Sequence, residues 1–164
     1  MKYEIVFESD RIYYIKLTEY LVNNYLDMVN DVEVQKNISH QRKTYTLEQE
    51  LKWIKSKLEE NATIFSMIEK ETDKYIGNIE IMNLRKNIGE IGICITPKQQ
   101  DKHFGQESIK ALINYAFNTL QLEELELNVY NFNKRGINCY EKVGFIKDGV
   151  GKTEEDIHMI YKNR

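Results

Sequence analysis

Two groups of residues in this chain have the types and spacing to do chemistry. The first is Gln100-Asp101-Lys102-His103-Phe104-Gly105-Gln106, a polar run leading into an apolar repeat at intervals of three and four. The first turn of a helix carries amide N–H groups without intrahelical partners, and the helix dipole places partial positive charge there. A polar loop with a small residue lets those amides turn toward a phosphate; Lys102, with His103 when protonated, adds cationic charge. The same stretch equally suits a solvated connection. The second group is Asn133 and Tyr140. Seven residues apart on a helix, they differ by about 20° of azimuth and about 10 Å of rise, so they face one way. Taken singly, Asn133 reads as a helix N-cap and Tyr140 as an amphipathic core residue.

Other chemistries find little support. Cys94 and Cys139 stand far apart and match no metal or CxxC spacing, and His40, His103 and His158 are scattered, so no metal site is expected. Both cysteines read as small core hydrophobes. A net charge of −3 without a dense basic cluster gives no footprint for nucleic acid. No apolar run approaches the roughly 20 residues needed to span a bilayer, so no membrane partner is expected. The N-terminus MKYEIVFESDR carries acidic residues where a signal peptide needs an apolar core, which makes cytoplasmic the expected location. At 164 residues, one domain over 1–164 is expected.

These residues must be positioned by strands and helices that the periodicity predicts. Residues 3–16 read as strand with a turn or irregularity at Ser9-Asp10. Thr18 caps a helix to about Asn30, Asp31 to Ile38 forms a further short helix, and His40 to Thr44 is an exposed loop. Thr46-Leu47-Glu48-Gln49 fits a capping box, and Leu47, Leu51, Ile54 and Leu58 make the apolar stripe of the helix that follows, with Trp53 off it. Strands at Ala62–Glu69, Tyr75–Leu84 and from Glu90 form an antiparallel meander, joined by short turns. Gly77 and Gly92 within them mark a bulge or a close approach of another backbone or ligand.

Ile91, Ile93 and Ile95 share one side of the central strand, and Pro97, the only proline, ends it. Phe104, Ile109, Leu112, Ile113, Ala116, Phe117 and Leu120 line a helix after the polar run, which extends over Lys98–Gly105. Glu124 to Tyr130 alternates as a strand parallel to that at Glu90, since a helix joins the two. Asn131 to Lys142 reads as a short helix ending at Gly144, and Phe145–Val150 with Ile157–Lys162 as a final hairpin. The fold class is α+β, a mixed, mostly antiparallel twisted sheet of six to seven strands with helices on both faces and one parallel crossover. Adjacent parallel strands leading into helices open a crevice at their carboxyl ends, where splayed backbone could hold an extended amide-bearing ligand.

Together the two groups resemble the GNAT superfamily of acetyl-coenzyme A-dependent N-acetyltransferases, closest to its branch of protein N-terminal, polyamine and small-amine enzymes. That family has a Gln/Arg-x-x-Gly-x-Gly/Ala loop opening a helix, met here by Gln100 to Gly105, and an Asn-x-x-Ala-x-x-x-Tyr-x-Lys-x-Gly-Phe segment, met by Asn133 to Phe145. His103 stands where the family places glycine, so the loop loses free access to positive φ there. Gly136 replaces alanine at a helical position, at a cost of about 1 kcal/mol. The resemblance implies direct transfer of acetyl from acetyl-CoA to a primary amine such as a peptide N-terminus, polyamine or aminoglycoside, without metal. It implies Tyr140 as general acid and Glu90, with Glu80 as runner-up, as base, although each carboxylate also reads as a solvated strand-end residue. Backbone of Ile93, Cys94 and Ile95 would hold the pantetheine arm; Gln100, Lys102, His103, Phe104, Gly105, Gln106 and Asn133 complete the cofactor-binding set. A non-catalytic coenzyme A-binding module is the competing expectation, and an exposed strand edge would suit a homodimer.

Overall fold

The structure, a computed structural model, describes residues 2–39 and 41–163. Its elements run β1 (Ile5–Glu8), β2 (Ile12–Lys16), α1 (Val22–Asn30), α2 (Val32–Lys36), α3 (Leu47–Glu59), β3 (Thr63–Glu69), β4 (Tyr75–Arg85), β5 (Ile88–Ile95), α4 (Phe104–Asn118), β6 (Glu124–Tyr130), α5 (Lys134–Val143), β7 (Ile146–Val150) and β8 (Asp156–Lys162). Short 3₁₀ turns at Glu19–Leu21 and Pro97–Gln99 introduce α1 and follow β5. One eight-stranded sheet has the order β1-β2-β3-β4-β5-β6-β8-β7. The expected six to seven strands become eight because a tight turn, with Ser9 N–H donating to Ile12 C=O at 2.9 Å, splits residues 3–16 into the antiparallel pair β1 and β2.

Contacts group the chain into two units, one of residues up to Glu80 with Ile93–Phe104, the other of Ile81–Gly92 with the residues from Gly105 onward. In the first unit, Ile15, Tyr25, Met28, Ile54, Ile68 and Tyr75 belong to one buried apolar cluster. Each such side chain contributes about 1.5–3 kcal/mol by leaving water. Thr18 accepts from Tyr20 N–H at the entry to α1, and Asp31 caps α2 by accepting from Val34 N–H. His40, at the start of the expected loop, lies outside the described residues; residues 41–45 carry neither helix nor strand. The Thr46–Gln49 capping box is present in both directions.

The stripe expected on α3 is displaced. Leu47 and Leu58 are each 49% exposed, while Glu50 is buried with Ile54, and Leu51, Trp53 and Lys57 are half-buried. Residues 50, 53, 54 and 57 lie three and four apart, so α3 turns a face to the interior that begins with a carboxylate instead of a leucine. Gly77 is the close approach expected of it: a Cβ there would lie 2.0 Å from the Cys94 carbonyl oxygen.

In the second unit, β6 buries Leu125, Leu127 and Val129 on one side. It pairs in parallel with β5 from Ile88↔Glu124 to Glu90↔Glu126, and in antiparallel with β8 from Glu124↔Lys162 to Tyr130↔Asp156. The β4–β5 hairpin turns on Lys86 and Asn87, both at positive φ (43° and 70°), the conformation a two-residue hairpin loop needs.

Candidate active site

The polar loop after β5 is braced by its own side chains. Gln100 Nε2 donates to Ile95 C=O (3.0 Å), and Lys102 Nζ donates to Gln99 Oε1 (2.8 Å). Gln99 is buried and its Nε2 reaches Glu69 Oε1 (3.3 Å). The helix begins at Phe104, so Gly105, which the sequence suggests as the end of the loop, lies with Gln106 in the first helical turn. Phe104 drives this: its ring is buried with the Arg11 guanidinium 4.3 Å above it, which anchors the first helical residue. The Gly105 and Gln106 amides therefore belong to the set that a helix leaves unpaired.

His103 adopts φ 65° and Asp101 φ 60°. The replaced glycine was expected to deny the loop this conformation; the loop takes it nonetheless. Histidine and aspartate are among the side chains that enter the left-handed region most readily, at about 1–2 kcal/mol. The loop thus keeps the path that glycine would give it.

The second motif folds as a capped helix. Asn133 is the N-cap of α5, its Oδ1 accepting from Gly136 N–H at 3.0 Å, and the helix begins at Lys134, three residues later than the periodicity suggests. Gly136 has a local reason: a Cβ there would press on the Asn133 amide at 2.7 Å. At the other end the Tyr140 carbonyl accepts from Gly144 N–H (3.1 Å) and Phe145 N–H (3.0 Å). Gly144 lies at φ 122°, and a Cβ there would meet the Tyr161 ring at 2.9 Å. The half-buried Tyr140 ring meets Phe145 edge-on at 6.2 Å, and Phe145 packs on Tyr161 at 5.4 Å. Tyr-x-x-x-Gly-Phe is thus a C-cap that fixes the backbone and ring of Tyr140 together.

Glu90 is 5% exposed and both its oxygens are engaged. Asn83 Nδ2 donates to Oε1 (2.8 Å); Asn128 Nδ2 and Lys152 Nζ each donate to Oε2 (3.3 Å). Asn83 stands at φ 51°, a conformation asparagine tolerates, within β4. A second network follows along β6. Arg85 lies 2.7 Å from Glu126 Oε1, and His158 bridges Glu126 Oε2 (3.0 Å) and Asp148 Oδ2 (3.3 Å). Burial works against the charged forms of both partners, but the hydrogen bonds win: Glu126 is held below its ordinary pKa and His158 above.

In the first unit, burial pushes the Cys94 thiol up to about 12, with Glu80 and Asp31 adding to the effect. Such a thiol is no nucleophile at neutral pH. Tyr75 is fully buried among these groups, its hydroxyl donating to Asn78 Oδ1 (2.9 Å); burial, then the nearby Tyr25, Cys94 and Glu50, raise its pKa. Tyr25 hydroxyl bonds Ser66 Oγ at 2.6 Å. Sequence reasoning singled out neither Asn83, Asn128 and Lys152 around Glu90 nor Glu50. The β6 alternation that places Asn128 two residues from Glu126, on one side of the strand, was available as a signal; Lys152, in an irregular turn, left none.

Comparisons with known proteins bear on the family and the fold. The profile of the acetyltransferase (GNAT) domain matches residues 11–146. The chain is 27% identical over 99 residues to the SPbeta prophage-derived uncharacterized N-acetyltransferase YokL of Bacillus subtilis, covering 59% of this chain and 55% of that protein. It is 28% identical over 94 residues to the spermidine N(1)-acetyltransferase of Vibrio cholerae, covering 56% and 54%. It thus spans about half the length of the curated relatives it matches. The fold is shared with the GNAT-family acetyltransferase of Bacillus anthracis (TM-score 0.84, 19% identity, 94% of this chain and 96% of that one). It is shared too with the Vibrio cholerae spermidine N-acetyltransferase in complex with CoA and spermine (TM-score 0.83, 18% identity, 93% and 95%). With the profile spanning both motifs, from β2 to the start of β7, this chain belongs to the GNAT acetyltransferase family.

Proposed function

We propose that this chain transfers an acetyl group from acetyl-coenzyme A to a primary amine in a direct reaction between the two substrates. The observation that carries the reading is the fixing of Tyr140 by the C-cap of α5. A tyrosine hydroxyl is protonated at neutral pH and can serve a departing thiolate only when well placed. The residues around the cosubstrate fit it. The loop reaches the start of α4 through left-handed Asp101 and His103, leaving first-turn amides at Gly105 and Gln106 for a diphosphate. Lys102 and Gln100 flank them, and Asn133 stands at the head of α5. Backbone of Ile93, Cys94 and Ile95 is assigned to the amide-bearing arm: β5 runs on to Ile95 from its last registered parallel pair, Glu90↔Glu126.

Acetyl-coenzyme A supplies the acetyl group as an activated thioester. The neutral amine nitrogen bonds to the acetyl carbon and the carbon–sulfur bond breaks. Tyr140 gives its hydroxyl proton to the departing sulfur, and Glu90 takes the proton lost by the amine, releasing Lys152 as it does so. Glu80, beside Cys94, is the other carboxylate able to take that proton.

Tyr140→Phe should lower kcat by about 10²–10⁴ on an amine panel while coenzyme affinity, measured by calorimetry, stays within a factor of about two. Unchanged turnover retires the assignment. The larger kcat loss between Glu90→Gln and Glu80→Gln identifies the base.

A further inference from the structure

Lys152 holds its ammonium on the carboxylate assigned to take the acceptor's proton: Nζ lies 3.3 Å from Glu90 Oε2. The pair is unlike the other lysine pairs. The Glu90 side chain is 7% exposed, whereas every other lysine-bound carboxylate among the described residues is at least 24% exposed. Lys152 itself is 63% exposed, so its amine meets solvent on one side and a buried carboxylate on the other.

The turn that delivers Lys152 is fixed from within and from β6. Between β7 and β8, Gly151 N–H donates to Asp156 C=O (2.9 Å), Asp156 N–H to Thr153 C=O (3.1 Å) and Thr153 N–H to Asp156 Oδ2 (3.2 Å). Asn131 N–H, just past β6, donates to Glu155 C=O (2.7 Å) and ties the turn to that strand. Residue 151 must be small: a Cβ there would lie 2.5 Å from Asn128 Oδ1. The turn thus closes on Asn128, whose Nδ2 shares Glu90 Oε2 with Lys152. Glu90↔Glu126 is the last registered pair between β5 and β6, so Lys152 stands at the last rung of the parallel ladder.

We propose that the chain acetylates its own Lys152. The inference rests on the acetyl-transfer reading and extends it from a separate acceptor to a residue of the chain. Nζ passes one proton to Glu90 Oε2 along the existing contact and becomes a neutral amine. It then bonds to the acetyl carbon of acetyl-coenzyme A as the carbon–sulfur bond breaks. Tyr140 gives its hydroxyl proton to sulfur and recovers the second Nζ proton, and Glu90 releases the first to water. The products are Nε-acetylated Lys152 and the free thiol of coenzyme A. A tethered amine competes with free acceptors as if present at about millimolar concentration or more. Acetylation removes the Lys152 charge, so Glu90 loses its ion pair and keeps Asn83 and Asn128.

The full chain would be incubated with acetyl-coenzyme A alone and each lysine followed by peptide mass spectrometry, beside turnover on an amine panel. Lys152 should be acetylated at least about tenfold faster than any other lysine, with a rate constant unchanged over a roughly tenfold dilution of the chain. Tyr140→Phe should slow Lys152 by about 10²–10⁴ and leave the slow chemical acetylation of other lysines as it was. A Lys152 rate no faster than that of other lysines, or one that falls with dilution, overturns the proposal without need of a variant. An equal rate in Tyr140→Phe marks chemical acetylation and overturns it too. So does amine turnover with Lys152 unmodified, which leaves the acetyl-transfer reading standing. Neither turnover nor modification overturns both.

Discussion

Glu90 and Glu50 are equally buried, at 5% exposure each, and live in opposite circumstances. Glu90 has two amides and an ammonium on its oxygens. Glu50 has no hydrogen bond or ion pair on its carboxylate among the described residues. Burial therefore says little about what a carboxylate does; the donors around it say nearly everything. A satisfied carboxylate rigidifies the strands that hold it. An unsatisfied one costs stability.

The sharpest test is one substitution made twice. Glu90→Gln sets an amide N–H₂ against the donors of Asn128 and Lys152 or of Asn83, and should destabilise by about 1–3 kcal/mol. Lys152, 63% exposed, can turn to water, which keeps the loss below that of a sealed ion pair. Glu50→Gln removes an uncompensated charge and should leave the melting temperature the same or raise it by roughly 2–4 °C, about 1 kcal/mol for a chain this long. Two losses of similar size in thermal melts would break the contrast.

Acid sharpens it next. The folded pKa of Glu50 is raised above its ordinary 4.5, so the folded state binds the extra proton between those two values. Stability from this group is present below 4.5 and lost as pH rises through the raised value. The advantage of Glu50→Gln over wild type should therefore be widest at neutral pH and close on acidification. Glu126 runs the other way: its depressed pKa stabilises the fold above its ordinary value, and that stability is lost as pH falls through the folded pKa. Melts of Glu126→Gln should thus converge on wild type only at lower pH. A Glu50→Gln advantage independent of pH would refute the linkage.

How far the sequence revealed this divides along the same line. The Asn133 N-cap and the Gly144 C-cap of α5 were legible because caps sit at fixed offsets, where local chemistry decides the structure. The β3–β4–β5 meander, the parallel β5–β6 pair and the closing hairpin followed from connection lengths, whereas the placing of β8 and not β7 beside β6 did not. Glu50 was not legible: the leucines at 47, 51 and 58 suggested a stripe that would leave it in solvent, and only tertiary packing turned α3 by part of a turn. Lys152 and Asn83 were hidden for a related reason, since a turn of Gly, Lys and Thr and a left-handed residue inside a strand follow from neighbours distant in sequence.

The smallest expected effect concerns the backbone of the first unit. His103 holds a left-handed conformation just ahead of α4, as Glu50 holds an unmet charge, and both are local costs. Comparing His103→Gly with His103→Ala isolates that cost, because both remove the imidazole. Alanine keeps the left-handed penalty of about 1–2 kcal/mol, whereas glycine escapes it but gives back about 0.5–1 kcal/mol through its freer unfolded chain. His103→Gly should therefore be the more stable by about 0.75 kcal/mol at the midpoints of these ranges, roughly 1.5–3 °C in a melt. Any coenzyme affinity lost equally in both variants then belongs to the imidazole, and affinity lost only in alanine belongs to the path of the loop. Coincident melting temperatures would mean that His103 carries no strain, and would leave Glu50 as the single unrelieved cost of the pair.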